Sequence, residues 1–446
     1  MIMPARIDTK SAQFSDDYAA NARDFPGAAL SWLDARRRAA MDAFAKTGVP
    51  NRRVEAWKYT DLAQALRAGL EPAAPFRGRA FETANLRDPF EGILGARLLL
   101  IDGYLYRGVG EAPEAPPGME ILDLAALEGD VPDWVQEHLG TQAAGADQPM
   151  GALSLGLMRG GVAIRVAAGE MAMALHLGFL HPSRGVNQIS HTRVLLVLEE
   201  GASLTLLESH AGQEDEGHVA NIGMEIVLKP GAQLDHVRLE TGTAQAIRIT
   251  SLGADIARDA RYRGLYADVG AKLSRLDANL RLGAPGAEAV LNGAIARASG
   301  GHSDFTIVMD HRAPDTKSRQ VFKSVLGAGS RAVTQGRVTV REGAIHSDSH
   351  QLFRAVLLDE RAEADAKPEL EIFADDVTCG HGTAIGALDE DALFYLRARG
   401  IPEREARHLL LRAFLEDVLE GLNDPALREA LWRHLEAALP KSEDVA

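Results

Sequence analysis

Along the first third of the chain, apolar residues keep helical spacing once and then lose it. Residues 28–46 set Leu30, Leu33, Met41 and Phe44 among charges with alanines between them, the stripe of an amphipathic helix, and Gly48 follows as its stop. Residues 51–66 carry a second, weaker helical pattern. From about 70 to 150, Pro72, Pro75, Pro89, Pro113, Pro116, Pro117 and Pro132 punctuate short apolar runs such as 97–101 (RLLLI) and 120–124. That punctuation predicts a mixed region of short strands and turns.

Between about 150 and 375 the helical period gives way to short alternating or continuous apolar runs after Gly-containing turns: GVAIRVAAG, TRVLLVLEEG, ASLTLLESH, NIGMEIVLKPG and AQLDHVRLE. In 201–208 (GASLTLLE) and 231–240 (GAQLDHVRLE) a Gly-Ala turn opens a strand with apolar residues two apart. Similar starts recur at Gly270-Ala271, Gly286-Ala287 and Gly329-Ser330, with successive gaps among the five of 30, 39, 16 and 43 residues. The unit repeats without a strict period. A propeller would show blade signatures every 40–50 residues or so, and paired sandwiches would show more hairpin dipeptides than Asn292-Gly293. A β-helix remains the leading architecture, and roughly 25 residues per coil at about 4.8 Å per coil would give about nine coils.

The last 60 residues return to helices. Asp389 precedes Ala392 to Leu396 as an N-cap, Gly400 ends that helix, and Pro402 sits at the first turn of a second one running to about Gly421. Ala406, Leu410, Phe414 and Val418 step by four, and Leu409, Leu411, Leu415, Leu419 and Leu422 widen the stripe, which predicts a helix buried on two sides. A third helix after Pro425 aligns Leu427, Leu431, Leu435 and Leu439.

Composition narrows the function classes. The 446 residues carry a formal charge of −15, which argues against broad binding to nucleic acid or anionic membranes. One cysteine excludes an internal disulfide and any zinc site with two Cys ligands. Residues 1–10 lack the apolar segment of a secretory signal, and no run approaches the ~20 apolar residues of a membrane helix, so a soluble, cytoplasmic protein is expected. No P-loop, G-x-S-x-G elbow or H-E-x-x-H pattern occurs, and Gly327-Ala328-Gly329 reads as a strand turn.

Three constellations could carry chemistry. On a strand, His346, Asp348 and His350 would share a face and reach one metal ion, the alternative being a solvated polar face. Cys379 and His381, two apart in Cys-Gly-His-Gly, would place thiol and imidazole on one side, a soft-metal ligand pair that other residues or another subunit must complete. A buried Cys beside a turn His is the plainer reading. Asp310-His311 to Thr316 offers a His with a carboxylate orienter, or a turn ahead of a strand.

The stretch 367–401 (KPELEIFADDVTCGHGTAIGALDEDALFYLRARGI) resembles the C-terminal signature of the SufB/SufD family, scaffold proteins of the SUF iron-sulfur cluster assembly system. Residues 311–340 are similar to its H-x-x-P-x-T-x-S-x-Q segment, and 53–62 (RVEAWKYTDL) to its N-terminal W-[KR]-Y-T-[DN]-L motif. Within the family the SufD branch fits better: SufB-like chains carry L-E-H-E-A near 379–382 and an upstream persulfide-accepting cysteine, whereas Cys379 stands alone here. Residues 346–348 and 352–358 depart from the family's usual Lys-Thr-Asp and N-x-N-L-L-L runs.

The resemblance implies a mainly β protein: an N-terminal helical and mixed region (1–150), a right-handed parallel β-helix core (151–385) and a C-terminal helical domain (386–446). It implies a non-catalytic subunit that pairs with SufB through the β-helix and binds the ATPase SufC through the helical domain. Cys379 and His381 would hold iron or a nascent iron-sulfur cluster transiently, shared with SufB, and reduced flavin in the complex is left open. The alternatives are a stand-alone β-helix enzyme acting on polysaccharide, or a homodimeric assembly factor without SufB.

Overall fold

The structure, a computed structural model, describes residues 9–76, 89–106, 115–182, 187–212 and 217–440. Residues 1–8 of the N-terminal stretch, and Pro113, lie outside the described residues. From Gly160–Val166 to Thr378–Gly386 the strands alternate between two sheets, and every neighbouring pair in this series is parallel. The chain winds as a parallel β-solenoid of about seven turns. Ile247 stands opposite Leu273, whereas Arg331 stands opposite Glu363, so coil length varies along the stack. The coils are longer and fewer than the sequence pattern predicts, because each carries two full strands plus two corners. The irregular Gly spacing has the same origin. Gly201, Gly231 and Gly286 open strands of one sheet, Gly270 and Gly329 strands of the other.

Strands with near-continuous apolar runs are buried on both faces. In the first sheet Ala220, Ile222, Met224 and Ile226 point into the solenoid, while Val219, Val227, Ile247 and Ile249 pack outward with the N-terminal helices. In the second sheet, Leu207, Val237, Leu239 and Leu265 face outward beneath Leu415, Val418, Leu431 and Leu435 of the C-terminal helices. The helix predicted at 28–46 is Ser31–Thr47, burying Leu33, Met41 and Phe44, and Gly48 ends it at φ +65°. The second N-terminal stripe is broken into a 3-10 turn, Glu55–Trp57, and the four-residue helix Leu62–Ala65.

That break has a packing cause. Trp57 is 0% exposed, with the guanidinium of Arg275 over its ring at 3.8 Å. Arg275 donates to the Ala56 carbonyl at 2.7 Å and pairs with Asp304, which also accepts from the Thr60 hydroxyl. The turn is thus wedged onto the first sheet by one indole and one buried ion pair, a fit that a continuous helix would not make.

The C-terminal helices are Glu390–Ala398, Glu403–Leu419 and Pro425–Ala437. Asp389 accepts the Ala392 N–H at 2.9 Å, as an N-cap should, and Leu427, Leu431, Leu435 and Leu439 are all buried. The middle helix is buried along Ala406, Leu411, Leu415, Val418 and Leu419 but leaves Leu409 exposed, so its apolar surface is wider than its cover.

The two ends of the solenoid differ. At the first coil, Met119–Asp123 pairs antiparallel with Gly160–Val166, and Ala96–Ile101 extends the other sheet, itself paired antiparallel with Tyr104–Leu105. At the last coil, Glu363–Ile372 and Thr378–Gly386 end their sheets with no further strand among the described residues.

Truncating Trp57 to Ala should cost about 3–5 kcal/mol of unfolding free energy, read from denaturant melts, because the indole is fully enclosed and its guanidinium partner is left buried. Burial also depresses His191 to about 3 and His302 and His311 to about 4. The unfolded chain then binds more protons than the folded one below about 6.5. Stability should fall as pH drops from about 6.5 towards 4; Asp277, raised to about 6 by burial, works the other way and offsets only part of it. Denaturant midpoints across that window check the sign.

Candidate functional site at the open end of the solenoid

Thr378–Gly386 is the edge strand of the second sheet and lies parallel on Asp348–Leu357. Cys379 stands opposite Ser349 and His381 opposite Gln351, both of which are buried. Alternation along the strand turns Cys379, His381 and Thr383 toward the solenoid interior. Cys379 packs partly buried against the core, while His381 is exposed at the open end. The two candidate ligands therefore share a face, as their spacing predicted. Gly380 between them matters, since a Cβ there would come within 3.2 Å of His350 Nδ1.

The thiol is held protonated. Burial pushes its pKa above the usual cysteine value, and Asp348 adds to the shift, while the Ser349 backbone works against them. The coil beneath supplies a hydroxyl ladder: the Ser349 and Ser318 hydroxyls are 2.7 Å apart, and Ser318 lies 2.9 Å from His311 Nε2. Beside it, Gln320 and Gln351 stack below His381 with both side-chain amides buried and unpartnered. Those serines and glutamines were missed from the sequence, where the signal available was only a polar residue at alternate positions of an otherwise apolar strand.

Around this face the last coil exposes Ile372, Phe373 and Ile385, with Phe373 at 62%. Two ligands do not complete a metal site, and among the described residues no group of three or more His, Cys, Asp or Glu is placed to hold an ion.

The other constellations resolve differently. His346 sits in the turn before the strand at φ +59°, so it does not share a face with Asp348 and His350. It contacts Asp315 and Asp376, each at 3.1 Å, and Asp348 is engaged by Arg319 at 2.7 and 3.0 Å. His311 turns inward to Thr316 at 2.7 Å, and Asp310 turns outward to Arg312 and Arg341. The turn reading holds there, and Gly329 at φ +65° closes a strand turn.

A parallel β-solenoid closed by antiparallel strands at one end and bare at the other, with a thiol and an imidazole on the bare edge, defines the class of protein. Comparison with known families narrows it. Residues 180–414 match the SUF system FeS cluster assembly SufBD core domain, and 8–174 the SufBD protein N-terminal region. The chain belongs to the SufBD family. It is 27% identical to the iron-sulfur cluster assembly protein SufD of Escherichia coli over 400 residues, 89% of this chain and 90% of that protein. A SufBD family protein of Synechocystis is 27% identical over 87% of both chains, and the chloroplastic protein ABCI7 of Arabidopsis thaliana 26% identical over 90% of this chain and 85% of its own. Among the described residues no helix is long and apolar enough to cross a membrane.

The raised thiol pKa has a measurable consequence. Alkylation of Cys379 by iodoacetamide should be slow at pH 7 and should climb with pH to a midpoint above that of a cysteine in an unstructured peptide. A midpoint at or below the peptide's would contradict the buried, protonated thiol.

Proposed function

We propose that this chain is a SufD-type, non-catalytic scaffold subunit of iron-sulfur cluster assembly in the cytoplasm. It pairs with a SufB-like chain through the last coil and binds the SufC ATPase through the C-terminal helices, which leave Phe394 72% exposed and Tyr395 and Leu409 open to solvent. Cys379 and His381 supply two ligands to iron or a nascent cluster, which passes through as cargo, and the SufB-like partner supplies the others.

The observation that carries this reading is the bare last coil. Its two edge strands present unpaired backbone groups, which water or another chain must satisfy, and its exposed Ile372, Phe373 and Ile385 favour the second. The only two soft-ligand side chains of the coil lie on the face that such a partner would cover. Covering them brings the thiol beside new charges. A cation arriving there favours the thiolate and releases its proton.

Anaerobic affinity purification of the tagged chain, with mass spectrometry, should recover a SufB-like chain and a P-loop ATPase in stoichiometric amounts. His381→Ala should leave that assembly intact while lowering its iron and sulfide content. Unchanged iron in the variant would remove the ligand role; recovery of the chain alone would remove the scaffold reading and favour self-pairing through the same edges.

A further inference from the structure

One corner of the solenoid interior is polar along its length. There the second-sheet strands end in His181, Glu208, His210, Arg238, Glu240, Asp268 and Arg297, all buried. The first-sheet strands begin opposite with His218, Arg248, Ser274 and Ser303. Most of this column is internally satisfied. Arg297 donates to Asp268 at 2.9 Å, to Ser303 at 2.7 Å and to the Ala271 carbonyl at 2.9 Å. Glu208 binds His210, accepts from His236 Nε2 at 2.7 Å and faces Arg238 Nε at 3.4 Å. His236 Nδ1 lies 3.0 Å from the hydroxyls of both Tyr262 and Tyr266, which are 2.6 Å from each other.

Satisfaction is weakest around Arg248, although Asp268 Oδ2 further along the column also lacks a hydrogen-bond partner among the described residues. Arg248 is 0% exposed and engages Glu240 through Nε, at 2.7 Å; both of its terminal nitrogens lack a hydrogen-bond partner among the described residues. Its register partner Ala220 belongs to the interior cluster, so the guanidinium points into the solenoid. The rings of His181 and His218 stack nearby at 4.1 Å, and the Nε2 atom of each is also unpartnered, as is His210 Nδ1. Glu240 Oε2 accepts no hydrogen bond among the described residues and lies 4.0 Å from Arg238. Arg248 is close enough to make both stacked imidazoles harder to protonate, which places them in one field.

A guanidinium keeps its charge at any physiological pH and has no acceptor, so the two terminal nitrogens present four buried N–H groups with no acceptor among the described residues. An unmet buried donor forfeits the hydration it had in the unfolded chain, whereas the neighbouring Arg297 finds an acceptor at each of its three nitrogens. A small tetrahedral oxyanion has the acceptors to meet the terminal guanidinium nitrogens and the imidazole N–H groups at once, and its hydroxyl would donate to Glu240 Oε2.

We infer that Arg248, His181 and His218 form a binding site for a small hydrogen-bearing oxyanion of the phosphate type inside the first coils of the solenoid. The site is separate from Cys379 and His381, which lie on the last coil, and does not depend on the scaffold reading.

Isothermal titration of the full chain with inorganic phosphate, in a buffer free of other oxyanions, tests it. Saturable binding of one phosphate per chain is expected, weakened at least tenfold by Arg248→Lys, which keeps the charge but loses the fork, and by His218→Gln. His218 makes no ion pair among the described contacts and gives up only its stack on His181, so His218→Gln should still unfold in one cooperative transition without phosphate; it decides the matter if Arg248→Lys fails to fold. Absence of saturable binding in the native chain would assign the idle atoms to buried water and overturn the inference. So would equal binding by native protein and folded His218→Gln.

Discussion

The parallel ladder is the constraint on which the rest of this structure depends. Each coil satisfies its backbone N–H and C=O groups only by lying on the next, so every coil is a template and the stack has no natural end. The chain stops it asymmetrically. At the first coil antiparallel strands from the N-terminal region close the sheets, and helices cover the first sheet's outer face. At the last coil nothing among the described residues continues either sheet. A long bare edge is normally a liability, blunted by charge, proline or a cover. Here Pro368 and the outward Glu363, Asp365, Lys367 and Glu369 provide part of that protection on one edge strand, while the edge bearing Cys379 and His381 carries no charged residue besides a titratable histidine.

Cover on both faces explains how the strands can be so apolar without aggregating. The outer side chains of each sheet belong to a different helical layer, N-terminal for one and C-terminal for the other. The lumen is also more than hydrocarbon. Ion pairs lie along one corner, Arg248 with Glu240 across the corner of a single coil and Arg297 with Asp268 between neighbouring coils. Buried pairs of this kind offset little more than their own desolvation. They fix which residue stands over which, because a slip of one coil position would leave charges unpaired in a dry interior.

The candidate ligands inherit their properties from position in that stack. Cys379 has a coil beneath it and none above, so it is buried enough to hold its proton yet close enough to the edge to meet another molecule. His381, two residues on, is already exposed. One step further inside, the same column holds serine and glutamine rather than ligands. Thiol and imidazole therefore stand together on that face only in the terminal coil.

Sequence alone determined the elements whose signals are local. The Ser31–Thr47 stripe with its Gly48 stop, the Asp389 cap, the leucine face of the last helix and the glycine-led strand starts are written within a few residues of each other, and the resemblance of 367–401 carried the family. The two-residue spacing of Cys379 and His381 sufficed to put them on one face. What needed tertiary structure was anything set by residues a coil or more apart. The coil length, the irregular gaps that come from turns on two different sheets, and the wedge of Trp57 on Arg275 that interrupts the second N-terminal helix are all of that kind. So are the turn at His346 that separates it from His350 and the idle nitrogens of Arg248. The reason is physical: caps and periodicity act through neighbouring backbone, whereas burial, register and ion pairing act between strands whose partners lie a whole coil away in the chain.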